Sequence, residues 1–250
     1  LTRPEEYGEA CLKAKEDGYD CVKVDPLCFN MEGKYKGWPC SGILQAEQLK
    51  IAHDRVEAVR RAGGDDMDII IEVHSLTDAN SAVQLGHVLE EFNIFYYEEP
   101  TMPMNPANMK EIARRVSIPL ASGERIYTRW GYRPFFEDHS LHVIQPDLGN
   151  CGGITEGKKI CDMARIYDIG VQMHICGGPQ ATAAALQLEA VIPNFLIHEH
   201  HQAALLPENI RTGIYDYQPV NGYFTIPDLP GVGQEPSREA MDTAVKVTVK

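Results

Sequence analysis

The sequence lacks an excess of positive charge, and this limits the partners that it is expected to bind. Its 250 residues carry 23 Lys and Arg against 36 Asp and Glu, so the formal charge is −13. Nucleic acids and anionic membranes attract cationic protein surfaces, because their phosphates must be neutralised. We therefore expect neither kind of partner.

Paired cysteines and long apolar runs are missing as well. The seven cysteines are scattered, and none forms a Cys-x-x-Cys pair, which disfavours a disulfide framework and a thiolate zinc site. No apolar run reaches the roughly 18 residues that span a bilayer, and the N-terminus lacks a signal-peptide profile. These absences predict a reduced, cytoplasmic protein.

The sequence does contain a regular alternation of β-rich and amphipathic segments. Such alternation predicts an α/β fold with a parallel sheet and crossover helices. The longest predicted helix runs from Ile43 to Ala62 and stops at Gly63-Gly64. The seven predicted strands are Val22–Val24, Ile69–Ile71, Ile94–Tyr97, Leu120–Ala121, Val143–Ile144, Val171–Met173 and Phe195–Ile197.

A titratable residue follows six of these strands at nearly constant spacing. A spacing near 25 residues corresponds to one βα unit, and in a (β/α) barrel the C-terminal strand ends meet at one mouth. We therefore expect these six side chains to surround one cavity. They are Glu72, Glu98, Glu124, Asp147, His174 and Glu199, at intervals of 26, 26, 23, 27 and 25 residues.

The number of strands predicts an incomplete barrel, since a closed one needs about eight. We expect residues 1–204 to form a (β/α) TIM-type barrel without its first strand. Residues 205–250 are expected to form a closing segment that packs towards the absent part. On this interpretation the chain is the C-terminal part of a longer polypeptide.

Three of the strand-end residues form a set that suits a metal ion. Glu72, Glu98 and Glu124 offer hard oxygen ligands, which favour Mg²⁺. Without a cation three converging carboxylates would repel one another, so either a bound metal or a raised pKa is needed. The alternative interpretation is a solvated acidic rim.

The histidines suggest acid–base chemistry at the same mouth. His174 and Asp147 follow adjacent predicted strands, so a hydrogen bond between them would make His174 a candidate general base. His74 lies two residues after Glu72 and therefore shares its strand face, as a candidate general acid.

Cations are expected to help an acidic protein bind an anionic substrate. Lys23, near the end of the first predicted strand, and Arg125 supply local positive charge, and Asp25 shares a face with Lys23.

Two other patterns are weaker indications of a functional site. The histidines His198, His200 and His201 resemble a zinc cluster, but alternation turns His198 and His200 away from Glu199. The Gly149-x-x-Gly152-Gly153 loop lacks the full nucleotide-binding motifs.

In order and spacing, these residues resemble the enolase superfamily, specifically its mandelate racemase subgroup and the acid-sugar dehydratases of the galactonate dehydratase type. The resemblance covers nearly the whole chain. It rests on Val22-Lys23-Val24-Asp25-Pro26, Ile71-Glu72-Val73-His74, Tyr97-Glu98-Glu99-Pro100, Ser122-Gly123-Glu124-Arg125, Gln145-Pro146-Asp147-Leu148, Gly152-Gly153-Ile154-Thr155-Glu156, Met173-His174, and Asn221-Gly222-Tyr223 through Pro230-Gly231-Val232-Gly233.

The resemblance implies a Mg²⁺-dependent dehydratase that converts a sugar acid to a 2-keto-3-deoxy acid. It assigns Glu72, the first member of the Glu98-Glu99 pair, and Glu124 as metal ligands. It also implies a small-molecule substrate, and we expect a homo-oligomer. The implied catalytic residues are His174 with Asp147 as base, His74 as acid, Glu199 as a partner of the enediolate oxygens, and Lys23.

Three features depart from the family pattern. Glu72 stands where Asp is usual, and Lys23-x-Asp25 replaces the Lys-x-Lys of two-sided racemases. Nothing in the chain matches the family's N-terminal capping domain. An insertion from Leu27 to Ser41 carries Trp38, which we expect, with Arg125 and Asp25, to contact substrate.

Three alternatives remain open from the sequence. A racemase or epimerase of a 2-hydroxy acid would use the same scaffold. A zinc-dependent hydrolase would use His198 and His200. In the third alternative the chain is only an incomplete barrel and has no catalytic role.

Overall fold

The computed structural model describes residues 1–248, and within them six strands form one parallel sheet in sequence order. Each strand pairs with the next one along the chain, as in a (β/α) barrel. The strands are β1 (Cys21–Val24), β2 (Asp68–Glu72), β3 (Tyr96–Glu98), β4 (Leu120–Ser122), β5 (Val143–Ile144) and β6 (Gly170–Val171).

Helices connect the strands and cover one face of the sheet. Between β1 and β6 one α-helix separates each pair of consecutive strands, so every connection is a crossover. The helices are α1 (Pro4–Glu16), α2 (Ala46–Gly63), α3 (Ala79–Leu89), α4 (Pro106–Ala113), α5 (Thr128–Glu137), α6 (Gly153–Ile166), α7 (Pro179–Glu189), α8 (Pro207–Ile210) and α9 (Arg238–Thr243), with 3₁₀ turns at Glu90–Phe92 and Gln202–Leu205.

The seventh predicted strand is reduced to a single parallel bridge between Val171 and Phe195. Leu196 N donates to Val171 O at 2.9 Å, so this segment does run beside β6. Its ladder is short because β6 itself ends at Val171, two residues earlier than predicted. Among residues 1–248, β1 pairs only with β2, and no ladder joins it to residues 195–197.

The start of α2 also differs from the prediction. The helix begins at Ala46 rather than Ile43, because Gln45 has extended backbone and caps it. Leu44 N donates instead to Gln84 Oε1 at 2.9 Å. The predicted end is confirmed, since the helix stops at Gly63 and Gly64 adopts a positive φ of 77°.

Two apolar clusters lie on opposite faces of the sheet. Ile69 and Ile71 belong to the large cluster under the helices, whereas Ile70 and Tyr96 belong to a small cluster on the other face. Residues two apart in a strand point the same way. Glu72 and Glu98 therefore project from the same face as Ile70 and Tyr96, at the C-terminal end of the sheet.

The segment formed by residues 205–248 packs against α7 and the chain that follows α7. Gln187 Nε2 donates to Pro227 O at 2.6 Å, and the ring of Phe224 lies 4.4 Å from that of His198. Within the described chain, no helix has both the length and the apolar character needed to cross a membrane.

Candidate metal and proton-transfer site

Three glutamates converge at the C-terminal end of the sheet. Glu72 and Glu98 are the last residues of β2 and β3 and face each other in register. Glu124 follows β4 and is separated from it by Gly123. A Cβ atom added to Gly123 would lie 2.5 Å from the backbone of Gln145. The glycine therefore allows the end of β4 to approach β5. One oxygen from each of the three glutamates lies within 4.8 Å of the others.

Lys23 lies beside this cluster, as its position near the end of β1 predicts. Its Nζ is 2.8 Å from Glu98 Oε1 and 3.6 Å from Glu72 Oε2, and it also contacts the Glu199 carboxylate. Burial alone lowers the pKa of Lys23, but the charges of Glu98, Glu199 and Glu72 outweigh it and hold the pKa well above its usual value. Lys23 is therefore a fixed cation of the site.

One lysine does not balance the buried carboxylates. Burial and the charge of Glu72 raise the pKa of Glu98 well above its usual value despite Lys23. Burial likewise raises the pKa of Glu72. A bound cation would relieve this repulsion and lower both pKa values, and three carboxylate oxygens suit a hard divalent ion. The donor set therefore supports a divalent metal site.

His174 and Asp147 form the hydrogen-bonded pair that their strand positions predict. His174 Nδ1 lies 2.8 Å from Asp147 Oδ2, and its Nε2 lies 3.1 Å from Glu124 Oε2. Burial alone lowers the pKa of His174, but the hydrogen bonds to Asp147 and Glu124 raise it to about 10. Asp147 thus orients the ring so that Nε2 faces the carboxylate cluster.

A second histidine–carboxylate pair lies at the end of β2. His74 Nδ1 is 2.8 Å from Asp25 Oδ2, and His74 N donates to Glu72 Oε1 at 2.7 Å. Asp25 also accepts from Leu27 N at 2.9 Å. Asp25 was predicted to contact substrate, but its carboxylate instead pairs with His74 Nδ1 and with Leu27 N.

The other predicted residues are only partly free to contact a substrate. Arg125 contacts the carboxylates of Glu99 and Glu124. Trp38 uses its Nε1 to donate to Leu27 O at 3.0 Å, so this N–H is already engaged. Glu199 accepts from Ile175 N at 2.7 Å through the oxygen that does not contact Lys23.

The histidines near Glu199 do not form a metal site. His198 Nδ1 lies 2.6 Å from Glu189 Oε2, away from Glu199, as alternation predicts. Within residues 1–248, only one group of three or more ligating side chains is close enough to hold a metal ion, and it consists of Glu72, Glu98 and Glu124. The Gly149 loop serves the pair described above, since Gly149 N donates to Asp147 Oδ1 at 2.7 Å.

A cavity lies beside the His174–Asp147 pair and gives it room for a ligand. Its volume is about 270 Å³. Besides the pair, its lining is mostly apolar and comes from the starts of α6 and α7, including Leu148, Ile154 and Ala181. A molecule in this cavity would contact the imidazole directly.

One buried residue escaped the sequence analysis. Glu99 follows the metal-ligand candidate Glu98, is 0 % exposed, and accepts hydrogen bonds from Ser75, Ser122 and Arg125. The doublet of two glutamates at a strand end was the available signal. Two consecutive carboxylates point to different surroundings, so the second needs buried partners of its own.

Comparison with known proteins agrees with this architecture. The model of the enolase C-terminal domain-like family matches residues 6–240. D-xylonate dehydratase from Haloferax volcanii is 31 % identical over 242 residues, which cover 93 % of this chain and 57 % of that protein. D-galactonate dehydratase from Pectobacterium atrosepticum is 31 % identical, with 95 % of this chain and 61 % of that protein covered. The chain thus spans about three-fifths of these relatives.

Solved structures show the same likeness. A member of the enolase superfamily from Salmonella Typhimurium has 54 % identity and a TM-score of 0.98, covering 100 % of this chain and 64 % of that one. A mandelate racemase/muconate lactonizing enzyme from Sulfitobacter sp. has 30 % identity and a TM-score of 0.86, covering 96 % and 58 %. Together with the family match over most of its length, these similarities show that the chain belongs to the enolase C-terminal domain-like family.

Proposed function

We propose that the protein is a Mg²⁺-dependent dehydratase of a sugar acid, which eliminates water to give a 2-keto-3-deoxy acid. The names of the curated relatives, sugar-acid dehydratases at about 30 % identity, support this activity. The observation that carries the proposal is the approach of His174 Nε2 to within 3.1 Å of Glu124, beside three convergent carboxylates. His174 therefore adjoins both the three carboxylates and the cavity.

Glu72, Glu98 and Glu124 would hold the metal ion. When bound, Mg²⁺ supplies positive charge that polarises a substrate carboxylate and makes the adjacent α-proton more acidic. Lys23, fixed by Glu98 and Glu199, adds a protein cation at the same mouth. An anionic substrate is thereby accommodated in a protein of net charge −13.

His174 is the general base of the proposed reaction. With Glu124 engaged by a metal ion, the Nε2 contact that helps to raise the pKa of His174 would be lost, and Nε2 would be free to take the α-proton. Asp147 keeps Nδ1 protonated and stabilises the imidazolium that forms. The electrons of the broken C–H bond pass into an enediolate of the substrate carboxylate. Glu199, which lies between Lys23 and the backbone of Ile175, is the proposed hydrogen-bonding partner of the enediolate oxygens.

His74 is the proposed general acid. It gives a proton to the β-hydroxyl as the C–O bond breaks, and the enediolate electrons form the new C–C double bond. Water leaves, and the resulting enol tautomerises to the 2-keto-3-deoxy acid. Asp25 at Nδ1 orients the ring for this step.

The test is a screen of acid sugars with the intact protein, with Mg²⁺ or with EDTA. The proposal predicts Mg²⁺-dependent formation of a 2-keto-3-deoxy acid from at least one aldonate. Formation of the product at the same rate in EDTA, or no product from any aldonate of the panel, would contradict it.

A second candidate, epimerisation of a 2-hydroxy acid, is favoured by one observation. His74 and His174 each have a carboxylate at 2.8 Å, and their strands β2 and β6 lie four positions apart in the sheet. Such an arrangement brings a proton-transfer group to each side of a substrate. Incubation in deuterated water separates the two activities, because α-deuteration and inversion without 2-keto acid would favour epimerisation.

A further inference from the structure

Glu99 occupies an unusual position for a carboxylate. It is completely buried, one residue beyond the end of β3. Its backbone has a φ of 51°, in the left-handed region that non-glycine residues seldom adopt. A buried charge in a strained turn persists only where its surroundings hold it in place.

The partners of Glu99 come from the ends of two neighbouring strands. Ser75, after β2, donates from Oγ to Glu99 Oε2 at 2.6 Å. Ser122, the last residue of β4, donates from Oγ to Glu99 Oε1 at 3.1 Å. Arg125, three residues beyond Ser122, contacts Glu99 Oε2 through Nη1. One carboxylate therefore links the chain that follows β2, β3 and β4.

Two of these partners adjoin the proposed site. The same Nη1 atom of Arg125 contacts Glu124, so the guanidinium bridges Glu99 and a metal-ligand candidate. Ser75 follows His74, and both have left-handed backbone, with φ values of 55° and 49°. Ser75 N donates to Glu99 O at 2.9 Å, which fixes this turn through the main chain as well.

We propose that Glu99 is a positioning residue, which shares the Arg125 guanidinium with Glu124, so that Arg125 does not pair with Glu124 alone, and which fixes the turn that carries His74. Glu99 is not a member of the metal-ligand cluster, which consists of Glu72, Glu98 and Glu124. It therefore acts through its neighbours. The inference rests on the proposed metal site. It adds a residue for which the relatives' names give no role.

The first experiment is Mg²⁺ titration of the intact protein by calorimetry, without substrate, for Glu99→Gln. Glutamine keeps the size of the side chain but brings an amide N–H₂ against the donors of Arg125, Ser75 or Ser122. Arg125 then pairs with Glu124 alone and competes with the metal for it. We expect Mg²⁺ affinity to fall roughly 10–100-fold, as for other residues that orient metal ligands.

The matched control is Glu189→Gln, since Glu189 is also buried but pairs with His198 away from the cluster. It should keep wild-type Mg²⁺ affinity. Melting temperatures in EDTA show whether each variant is folded. Wild-type Mg²⁺ affinity in folded Glu99→Gln, or an equal loss in the Glu189→Gln control, would overturn the role of Glu99.

Glu124→Gln in the same titration separates the two proposals. If wild-type protein and Glu124→Gln bind Mg²⁺ equally, the proposed metal site itself is wrong. If Glu124→Gln loses binding and Glu99→Gln does not, only the role of Glu99 fails.

A second variant decides the matter if Glu99→Gln does not fold. Ser75→Ala combined with Ser122→Ala keeps both charges but removes the two hydroxyl donors to the carboxylate. We expect a smaller weakening of Mg²⁺ binding in the same direction. Unchanged affinity in this folded double variant would overturn the proposal.

Discussion

Two histidine–carboxylate pairs of the molecule have similar geometry but very different surroundings. His174 lies 2.8 Å from Asp147 at the mouth of the sheet, and His198 lies 2.6 Å from Glu189 beside α7. The second nitrogen of His174 is 3.1 Å from Glu124. The second nitrogen of His198 is buried without a hydrogen-bond partner in the described structure, and its ring packs on Phe224.

The comparison shows that the pair alone does not define a catalytic base. A base needs a second nitrogen that a substrate proton reaches, and a nearby charge that stabilises the product of proton transfer. The His174 pair adjoins a cavity and three carboxylates, whereas the ring of His198 packs on Phe224 and its second nitrogen is buried. We therefore assign chemistry to the first pair and a structural role to the second.

The largest expected difference between the two regions is in metal binding. Glu98→Gln removes a ligand from the cluster, so the loss of Mg²⁺ affinity should exceed the roughly 10–100-fold typical of outer-shell partners. Glu189→Gln, beside His198, should leave Mg²⁺ affinity unchanged in the same calorimetric titration. Similar affinities for the two variants would break the comparison.

Turnover should separate the two histidines themselves. His174→Asn is expected to lower both dehydration and α-proton exchange at least about 10²-fold, because the general base is lost. His198→Asn should keep turnover close to the wild-type value. Product assays and proton NMR in deuterated water measure the two reactions, and normal exchange in His174→Asn would exclude it as the base.

A variant of His74 separates the proposed general acid from the proposed general base. His74→Asn should lose dehydration by at least about 10²-fold but retain α-proton exchange, since the acid acts after the α-proton has left. The same NMR experiment tests this order. Equal loss of both reactions would count against separate acid and base roles.

The His198–Glu189 pair should contribute to the free energy of unfolding rather than to activity. His198→Leu leaves the buried Glu189 without its partner, which typically costs about 1–3 kcal/mol in the free energy of unfolding. Adding Glu189→Leu should recover most of that loss, because replacing both partners by apolar groups is nearly neutral. Urea unfolding measures both values, and a further loss in the double variant would contradict this role.

A further difference concerns the pH dependence of stability. In metal-free protein, His174 has its pKa raised from 6.5 to about 10, so its contribution to stability is complete below about pH 6.5. That contribution is lost as the pH rises through about 10. His174→Asn should therefore flatten the fall in unfolding free energy over this range, measured in EDTA. An unchanged slope would show that His174 is not held protonated.

The sequence predicts the ends of β2, β3 and β4 to within about one residue, and with them most of the site. Parallel strands carry their C-terminal residues to one edge, so spacing alone brings Glu72, Glu98 and Glu124 together. Asp147 and His174 meet for the same reason, since they follow adjacent strands. The face of His198 followed from the alternation of side chains along an extended segment.

Other features depend on backbone that leaves the strand pattern. His74 and Glu99 both lie beyond a strand end with left-handed φ values of 49° and 51°. Alternation no longer determines where a side chain points there, so the Asp25–His74 pair and the Glu99 network could not be predicted. The seventh strand was predicted too long, because pairing also depends on the length of β6 beside it.

The most direct test of the central claim is a crystal structure of the intact protein soaked with Mn²⁺, with the ion located by its anomalous scattering. We predict one strong peak coordinated by Glu72, Glu98 and Glu124, with His174 adjacent to it. A peak at His198 or His200 with none between the three glutamates, or glutamates turned away from one another, would contradict the account.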